Sequence, residues 1–396
     1  MRALWKTGHW PTLASAFFYF DVSFMIWVLL GALGNHIAGE FQLSPAQKGL
    51  MTAVPILSGS LLRLVLGTLA DTIGAKRTAV TGLLLTLVPL LAGWLWADSL
   101  PKIFGVGALL GVAGASFAVA LPMASRWYPP EKQGVVLGIA GAGNSGTLFA
   151  TLFAPRLAEH FGRHTVFVVA IAPLLIVTGL VTVFAKEPPT KNTPITFRNY
   201  AAMFQERDTY VFCLFYAVTF GGFIGLISFL PIFLCDQYHV SKVHAGDLTT
   251  LCVIAGSFMR PVGGWLADKL GGIRMLMVLF ALIAGLLLAI AQLPAQGIVM
   301  PLLVITLGLL GLGNGSVFQL VPQRFAGRVG VITGLVGAAG GVGGFFLPTL
   351  LGWIGYGAGL AVFGTLAGIA CLTMALSQRR WVGDWIAAGG RVAEPA

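Results

Sequence analysis

GTLADTIGAKR, at residues 67–77, returns as GWLADKLGGIR at residues 264–274. The two stretches align without a gap at a constant offset of 197, Gly67 with Gly264, Asp71 with Asp268, Gly74 with Gly271 and Arg77 with Arg274. The same offset carries Arg63 onto Arg260, and Gly143 and Gly146 onto Gly340 and Gly343. One period joining several separated positions marks duplication of a whole unit. Both copies of the loop lie between long apolar stretches, so the duplicated unit is a bundle of membrane crossings. Parallel repeats of that kind place a shared cavity between the two halves near mid-membrane.

The rest of the chain agrees. Of 396 residues, 57% are hydrophobic and only 10% charged, with a mean hydropathy of +0.88. A soluble globular chain carries about 25% charged residues. This composition excludes a soluble enzyme, a disordered chain and a nucleic-acid-binding module, whose basic surface must stay in water. At about 20 residues per helical crossing plus short loops, the length holds about twelve crossings and no folded soluble domain. Apolar stretches fall near 12–34, 47–70, 78–97, 102–126, 134–154, 165–185, 208–235, 245–267, 273–293, 299–323, 329–354 and 357–377. The one long polar connection, KEPPTKNTPITFRNYAAMFQER at 186–207, divides them six and six. The expected fold is therefore an all-α integral membrane protein of twelve transmembrane helices. Two pseudo-symmetric six-helix bundles, 1–185 and 208–396, are joined by a cytoplasmic linker, and the second ends in a short cytoplasmic tail.

Net charge is +10, and its distribution sets the orientation. With the N-terminus inside, the cytoplasmic side receives Arg2, Lys6, Lys76, Arg77, Arg126, Lys132, Lys186, Lys191, Arg198, Arg207, Lys269, Arg274, Arg324, Arg328, Arg379, Arg380 and Arg391. Only Lys48, Lys102, Arg156, Arg163 and Lys242 fall outside, as the positive-inside rule requires. A multi-pass protein of the cytoplasmic membrane, with both termini in the cytoplasm, is expected. MRALWKTGHWP at the start leads into apolar sequence with no small-residue cleavage site, so the first crossing is read as uncleaved. Cys213, Cys235, Cys252 and Cys371 lie far apart without metal-ligand or CxxC spacing, and read as packing residues. No cofactor is expected, and nothing asks for a second copy, so a monomer is expected in the lipid bilayer.

The GxLaDxxGxxR loop of both halves resembles the hallmark loop of the major facilitator superfamily, and the match spans nearly the whole chain. Within it the two buried arginines, AGAGNSGT at 140–147, GLVGAAGGVGGFFLP at 334–348 and GNGSVFQLVP at 313–322 resemble the nitrate/nitrite porter family. The resemblance implies secondary transport of nitrate, and of nitrite beside it, by alternating access, with the matching arginines as anion ligands. No Gly-Lys dipeptide occurs, so a phosphate-binding Walker loop is absent and transport is expected to draw on gradients.

Arg63 and Arg260 carry the functional reading. An arginine within a crossing costs about 2.5–3.5 kcal/mol on insertion scales, and it cannot shed its proton. Each lies eight residues before an interfacial aspartate, about 12 Å of helix and near the middle of the bilayer. Of 14 acidic residues only Asp21 lies deep in a crossing, too few for two permanent ion pairs. An anion between the two guanidinium groups resolves the deficit, and planar nitrate suits the flat five-donor fork.

The walls come next. GAGNSG at 141–146 satisfies the dinucleotide pattern GxGxxG, but it lies inside a crossing rather than after a strand, so the nucleotide reading fails. Small residues at this spacing let helices approach closely, so Gly143 and Gly340 are expected to narrow the pore and Asn144 to offer an amide. FYAVTFGGFIG at 215–225 resembles the porter family's seventh helix, where the matching Tyr216 and Phe220 line the site. Phe24 and Trp27 in the first crossing, Phe117 in the fourth and Phe318 in the tenth complete the candidate aromatic wall. Ring edges and a tyrosine hydroxyl both favour an anion.

Asp21 decides mechanism. Nine residues past Thr12, it lies about 13.5 Å into the first crossing, at the depth of the arginines. It is either a fixed counter-ion or a proton site. As a proton site it keeps the cavity at the same net charge, +1, when empty and ionised as when loaded and protonated, which permits proton-coupled nitrate uptake. Family members lacking a matching acid work by nitrate/nitrite exchange, so Asp21 is a departure that favours symport here. Asp71, Arg77, Asp268 and Arg274 are expected to pair between the bundles and steady one access state. Nitrate/nitrite antiport and an organic-anion carrier of the same superfamily are the competing readings; a channel is a third, and an enzyme the least supported.

Overall fold

The computed structural model describes residues 7–188, 197–325 and 329–387, and among these every regular element is helical. Eleven helices or helix pairs are long and apolar enough to cross a membrane. The first expected crossing differs: α1 (Trp10–Trp27) breaks at Val28 and continues as α2 (Leu29–Ala32) and α3 (Gly34–Phe41). The remaining crossings of the first half are α4 (Pro45–Thr72), α5 (Ala75–Leu95), the pair α6 (Leu100–Gly114) and α7 (Phe117–Ser125), and α8 (Pro130–Gly141) continuing into α9 (Thr147–Phe161), then α10 (Arg163–Phe184). After a short α11 (Phe197–Met203), the second half comprises α12 (Arg207–Tyr238), α13 (Lys242–Leu270), α14 (Gly272–Ile290), α15 (Gln296–Arg324), α16 (Val329–Ile354) and α17 (Tyr356–Ala387).

Local chemistry sets the ends. His9 caps α1 by accepting the Thr12 N–H at 3.2 Å, ahead of Pro11. Ser44 and Gln47 form a reciprocal capping box at the start of α4, with Pro45 in the first turn. Ser241 caps α13. The duplicated loop turns on Gly74 and Gly271, at φ 105° and 86°. A side chain there would be strained, which is why both copies hold glycine.

Within the single crossing formed by α8 and α9 the chain tightens into a 3-10 segment, Ala142–Gly146. Facing outward, Leu95, Ile176, Val183 and Leu372 are each at least 60% exposed, the apolar belt that lipid requires. Inside, α12 is the most buried crossing.

The halves meet along α4 with α16 and α9 with α13, where glycines let backbones touch. Gly49 faces the Pro348 carbonyl and Gly246 faces the Thr151 carbonyl. Opposite the face that carries the Lys186 connection, polar bonds latch the two halves. Lys48 pairs with Asp236 at 2.6 Å and Arg156 with Asp247 at 2.6 Å. The Asn35 amide donates across the same interface to the Pro231 carbonyl at 2.8 Å, and the Tyr356 hydroxyl, in the same half as Asp236, steadies that carboxylate at 2.7 Å.

On the linker face the expected pairing between bundles is corrected. Asp71 pairs with Arg126 inside its own half, and Asp268 accepts from Gln319 at 2.9 Å inside the other. The Arg77 backbone N–H donates to Glu187, while the Arg77 and Arg274 side chains are exposed. Each aspartate finds a donor on a neighbouring helix of its own bundle, so the loops brace each half separately while the latch lies at the opposite end.

Candidate functional site

Arg63 and Arg260 converge on one buried aromatic cluster at the interface of the halves, both lying against Phe117. Arg63, on α4, is 1% exposed and Arg260, on α13, is 6% exposed. Neither is in an ion pair among the described residues. Arg63 donates from Nε to the Gly114 carbonyl at 3.2 Å and from Nη1 to the Gly337 carbonyl at 2.5 Å. The second bond reaches into the other half. Arg260 donates from Nη2 to the Tyr216 hydroxyl at 3.3 Å. What remains is one bare edge on each fork, Arg63 Nη2 and Arg260 Nη1, buried and without a partner.

Aromatic rings hold both cations in place. The Phe117 ring lies between them, 5.3 Å from the Arg63 guanidinium carbon and 5.4 Å from that of Arg260. Arg63 also lies against Phe220 at 4.8 Å and Trp27 at 5.4 Å. Tyr216 stacks on Phe220 at 5.0 Å, and Phe318 meets Tyr216 edge-on at 4.7 Å. Phe24 sits behind, 4.8 Å from Trp27 and 6.4 Å from Phe220. Ring faces offset part of the cost of burying each cation, and they do so without supplying a counter-charge.

The glycine helices form the remaining wall. Gly143 faces the Phe20 ring and Gly340 faces Tyr216 and Phe220, while a Cβ on Gly141 would stand 3.5 Å from Arg260 Nε and one on Gly337 3.4 Å from the Phe117 ring. In the 3-10 segment Asn144 is fully buried, with neither amide atom partnered. A dry core does not leave amides and guanidinium edges unmatched; such groups are satisfied by water or by a ligand.

The structure separates one residue from this group. Asp21 is not paired with either arginine; its Oδ1 accepts from the Ser145 hydroxyl at 2.8 Å. It lines a different cavity of ≈ 450 Å³, open on the side of the bundle, together with Phe18, Met25, Phe149, Phe153 and Val169. This corrects both the fixed counter-ion reading and its placement in the arginine cavity. The cause is helical geometry: Phe20 and Phe24 turn toward the aromatic cluster, and Asp21, one residue on from Phe20, is rotated about 100° away. Counting along the sequence gives the depth of Asp21 but not its facing.

One polar residue escapes the sequence reading. Asn314 on α15 is fully buried, and both its amide atoms lack partners. It lies one turn before Phe318, whose ring touches Tyr216 and Phe117. Its signal is present in GNGSVFQLVP, where it stands among glycines much as Asn144 does.

The family model described as Major Facilitator Superfamily matches residues 15–348. The chain is 36% identical over 355 residues to the "Nitrite extrusion protein" of Bacillus subtilis (strain 168), covering 87% of each chain. It is 34% identical over 375 residues to the "Probable nitrate/nitrite transporter NarK2" of Mycobacterium tuberculosis, covering 92% of this chain and 95% of the relative. Among solved structures, a bacterial homolog of the human lysosomal transporter Spinster, inward-facing and unoccupied, superposes with a TM-score of 0.68 at 17% identity, covering 94% of this chain and 97% of that one. At that identity the likeness speaks for the fold.

Proposed function

Because the chain belongs to the Major Facilitator Superfamily, we propose that it is a secondary carrier of nitrate, and of nitrite beside it, working by alternating access of two six-helix halves, 1–185 and 208–396. The observation that carries this reading is the pair of bare guanidinium edges, Arg63 Nη2 and Arg260 Nη1, buried against aromatic rings with no carboxylate paired to them among the described residues. Two forks with one free edge each suit a small flat anion. Tyr216, Asn144, Phe117, Phe220, Phe24, Gly143 and Gly340 complete its enclosure. One chain contains the whole pocket, in keeping with a monomer. The bias of Lys and Arg toward the linker face supports a place in the cytoplasmic membrane with both termini inside.

Binding tests the substrate. Purified protein is expected to gain thermal stability with nitrate and nitrite, and little with sulfate or lactate, since a ligand that binds only the folded state raises its melting temperature. Stabilisation by lactate or formate but not by nitrate would replace this reading with an organic-anion carrier.

Coupling is the finer question. Proton-coupled uptake assigns Asp21 as the proton site, acting on the pocket through Ser145 and the 3-10 segment that also carries Asn144. Asp21→Asn is then expected to abolish nitrate accumulation driven by an acidic exterior, and to leave nitrate counterflow intact. Nitrate/nitrite exchange has its own support: with Asp21 on the lateral cavity, no carboxylate pairs with either arginine among the described residues. Closing the arginine site empty buries two cations without compensation, which disfavours an unloaded return. Counterflow that requires internal nitrite and ignores pH would establish exchange.

A further inference from the structure

The two arginines are related by 197 positions, but the helix packed behind each of them follows a slightly different register. GVAGAS at 111–116 matches GLGNGS at 311–316, and Pro122 matches Pro322, at an offset of 200. Packing bears this register out. A Cβ on Gly111 would meet the Gly59 backbone nitrogen, and one on Gly311 would meet the Gly256 backbone. Gly59 and Gly256 are themselves 197 apart, so Gly111 and Gly311 make the same helix contact in the two halves.

Three residues after Gly111 stands Gly114, whose carbonyl accepts from Arg63 Nε at 3.2 Å. Three residues after Gly311 stands Asn314. Its register places it beside Arg260, and its neighbour Gly315 abuts the Arg260 carbonyl. In the first half a Cβ on Gly114 would strike the indole of Trp27, the ring that lies against Arg63. The second half therefore has a polar amide where the first half has only the bare edge of a glycine. That amide is fully buried with neither atom partnered, and so are Arg260 Nη1 and the hydroxyl of Ser257, one turn from Arg260.

Resting on nitrate as the substrate, we propose that Asn314 is a specificity-determining anion contact of the second half. Its Nδ2 donates to a substrate oxygen while its Oδ1 faces the Arg260 fork. The two guanidinium edges hold either anion, because both carry the same charge. An uncharged amide adds a preference for an oxygen at one position, and nitrate has a third oxygen that nitrite lacks. A site built to hydrogen-bond a group discriminates strongly against a ligand without it, since its own donor is then left unpaired.

Asn314→Leu retains the volume and removes the amide. Its nitrate Kd, measured by thermal shift or calorimetry on the purified full chain, is expected to rise about tenfold, and its nitrite Kd less than about threefold. The anion-free melting temperature is expected to stay level or rise, because an orphaned buried amide has been replaced by an apolar group. Equal changes for both anions, or none, would overturn the assignment. Should the leucine variant not fold, Asn314→Ser is read in the same way. Wild-type protein that binds no nitrate would refute the proposed substrate and this contact together, whereas wild-type binding with an unmoved nitrate-to-nitrite ratio would refute the contact alone.

Discussion

Arg63→Lys is expected to raise the nitrate Kd by at least about a hundredfold, and Arg260→Lys by about tenfold to a hundredfold, although both variants keep the charge. Arg63 divides its fork among three tasks. Nε is spent on the Gly114 carbonyl and Nη1 on the Gly337 carbonyl, and Nη2 is left for the ligand. An ammonium is a single point of charge on a flexible stem. If it stays with the carbonyls it cannot face the anion, and if it turns to the anion it abandons two buried acceptors on opposite halves. It also loses the flat contact with Phe117, Phe220 and Trp27. Arg260 makes one protein bond, to Tyr216, and lies against one of these rings, Phe117, so its replacement should disturb less. Charge-assisted bonds contribute about 1.5–3 kcal/mol each, and losing one or two accounts for the predicted range. Calorimetric titration of both variants with nitrate checks the order; affinities within about threefold of wild type would show that charge alone holds the anion.

The arginines are legible in the sequence because a cation in a crossing is rare and because the duplication names its twin. The loop glycines are legible for the same reason, and Gly74 and Gly271 both take the left-handed turn that selected them. Asp21 shows where counting ends. A rise of 1.5 Å per residue gives depth from the sequence, but azimuth requires knowing which face of the helix the partner covers. On α1 that face belongs to Phe20 and Phe24, and their predominance in the first crossing is the clue that places Asp21 on another side. Asp71 and Asp268 depart from expectation for a related reason. A helix-end carboxylate seeks the nearest donor, and in this fold Arg126 and Gln319 of the same bundle are nearer than anything across the interface. Asn314 is hidden by register: the shift from 197 to 200 in the tenth crossing removes it from the duplicated positions.

Gly146→Ala and Gly343→Ala should each reduce transport by about a hundredfold or prevent folded protein from accumulating, for the sake of one methyl group. These positions lie 197 apart and do the same work. A Cβ on Gly146 would collide with the Asp21 carbonyl oxygen and come within 2.5 Å of its carbon. On Gly343 it would collide with the Ala217 carbonyl oxygen and come within 2.7 Å of its Cα. Both obstacles are backbone, so no rotamer change can relieve them. The helices must separate, and overpacking of that kind costs about 1–3 kcal/mol even when side chains can adjust. Separation at Gly343 moves α16, which carries the Gly337 carbonyl, away from α12, which carries Tyr216 and Phe220. Separation at Gly146 moves the segment bearing Asn144 away from α1. Either shift opens the pocket on one side of the anion, and a displacement of about 1 Å can cost a hundredfold in function. Gly179 and Gly285 have open space within 4 Å of the point where a methyl group would stand, so Gly179→Ala and Gly285→Ala should transport within about twofold of wild type. Parallel assays of uptake and melting temperature across the four variants separate crowding at the two packed positions from any general intolerance of alanine in these helices. A Gly343→Ala carrier that melts and transports as wild type would show that the close approach of α12 and α16 is not what shapes the site.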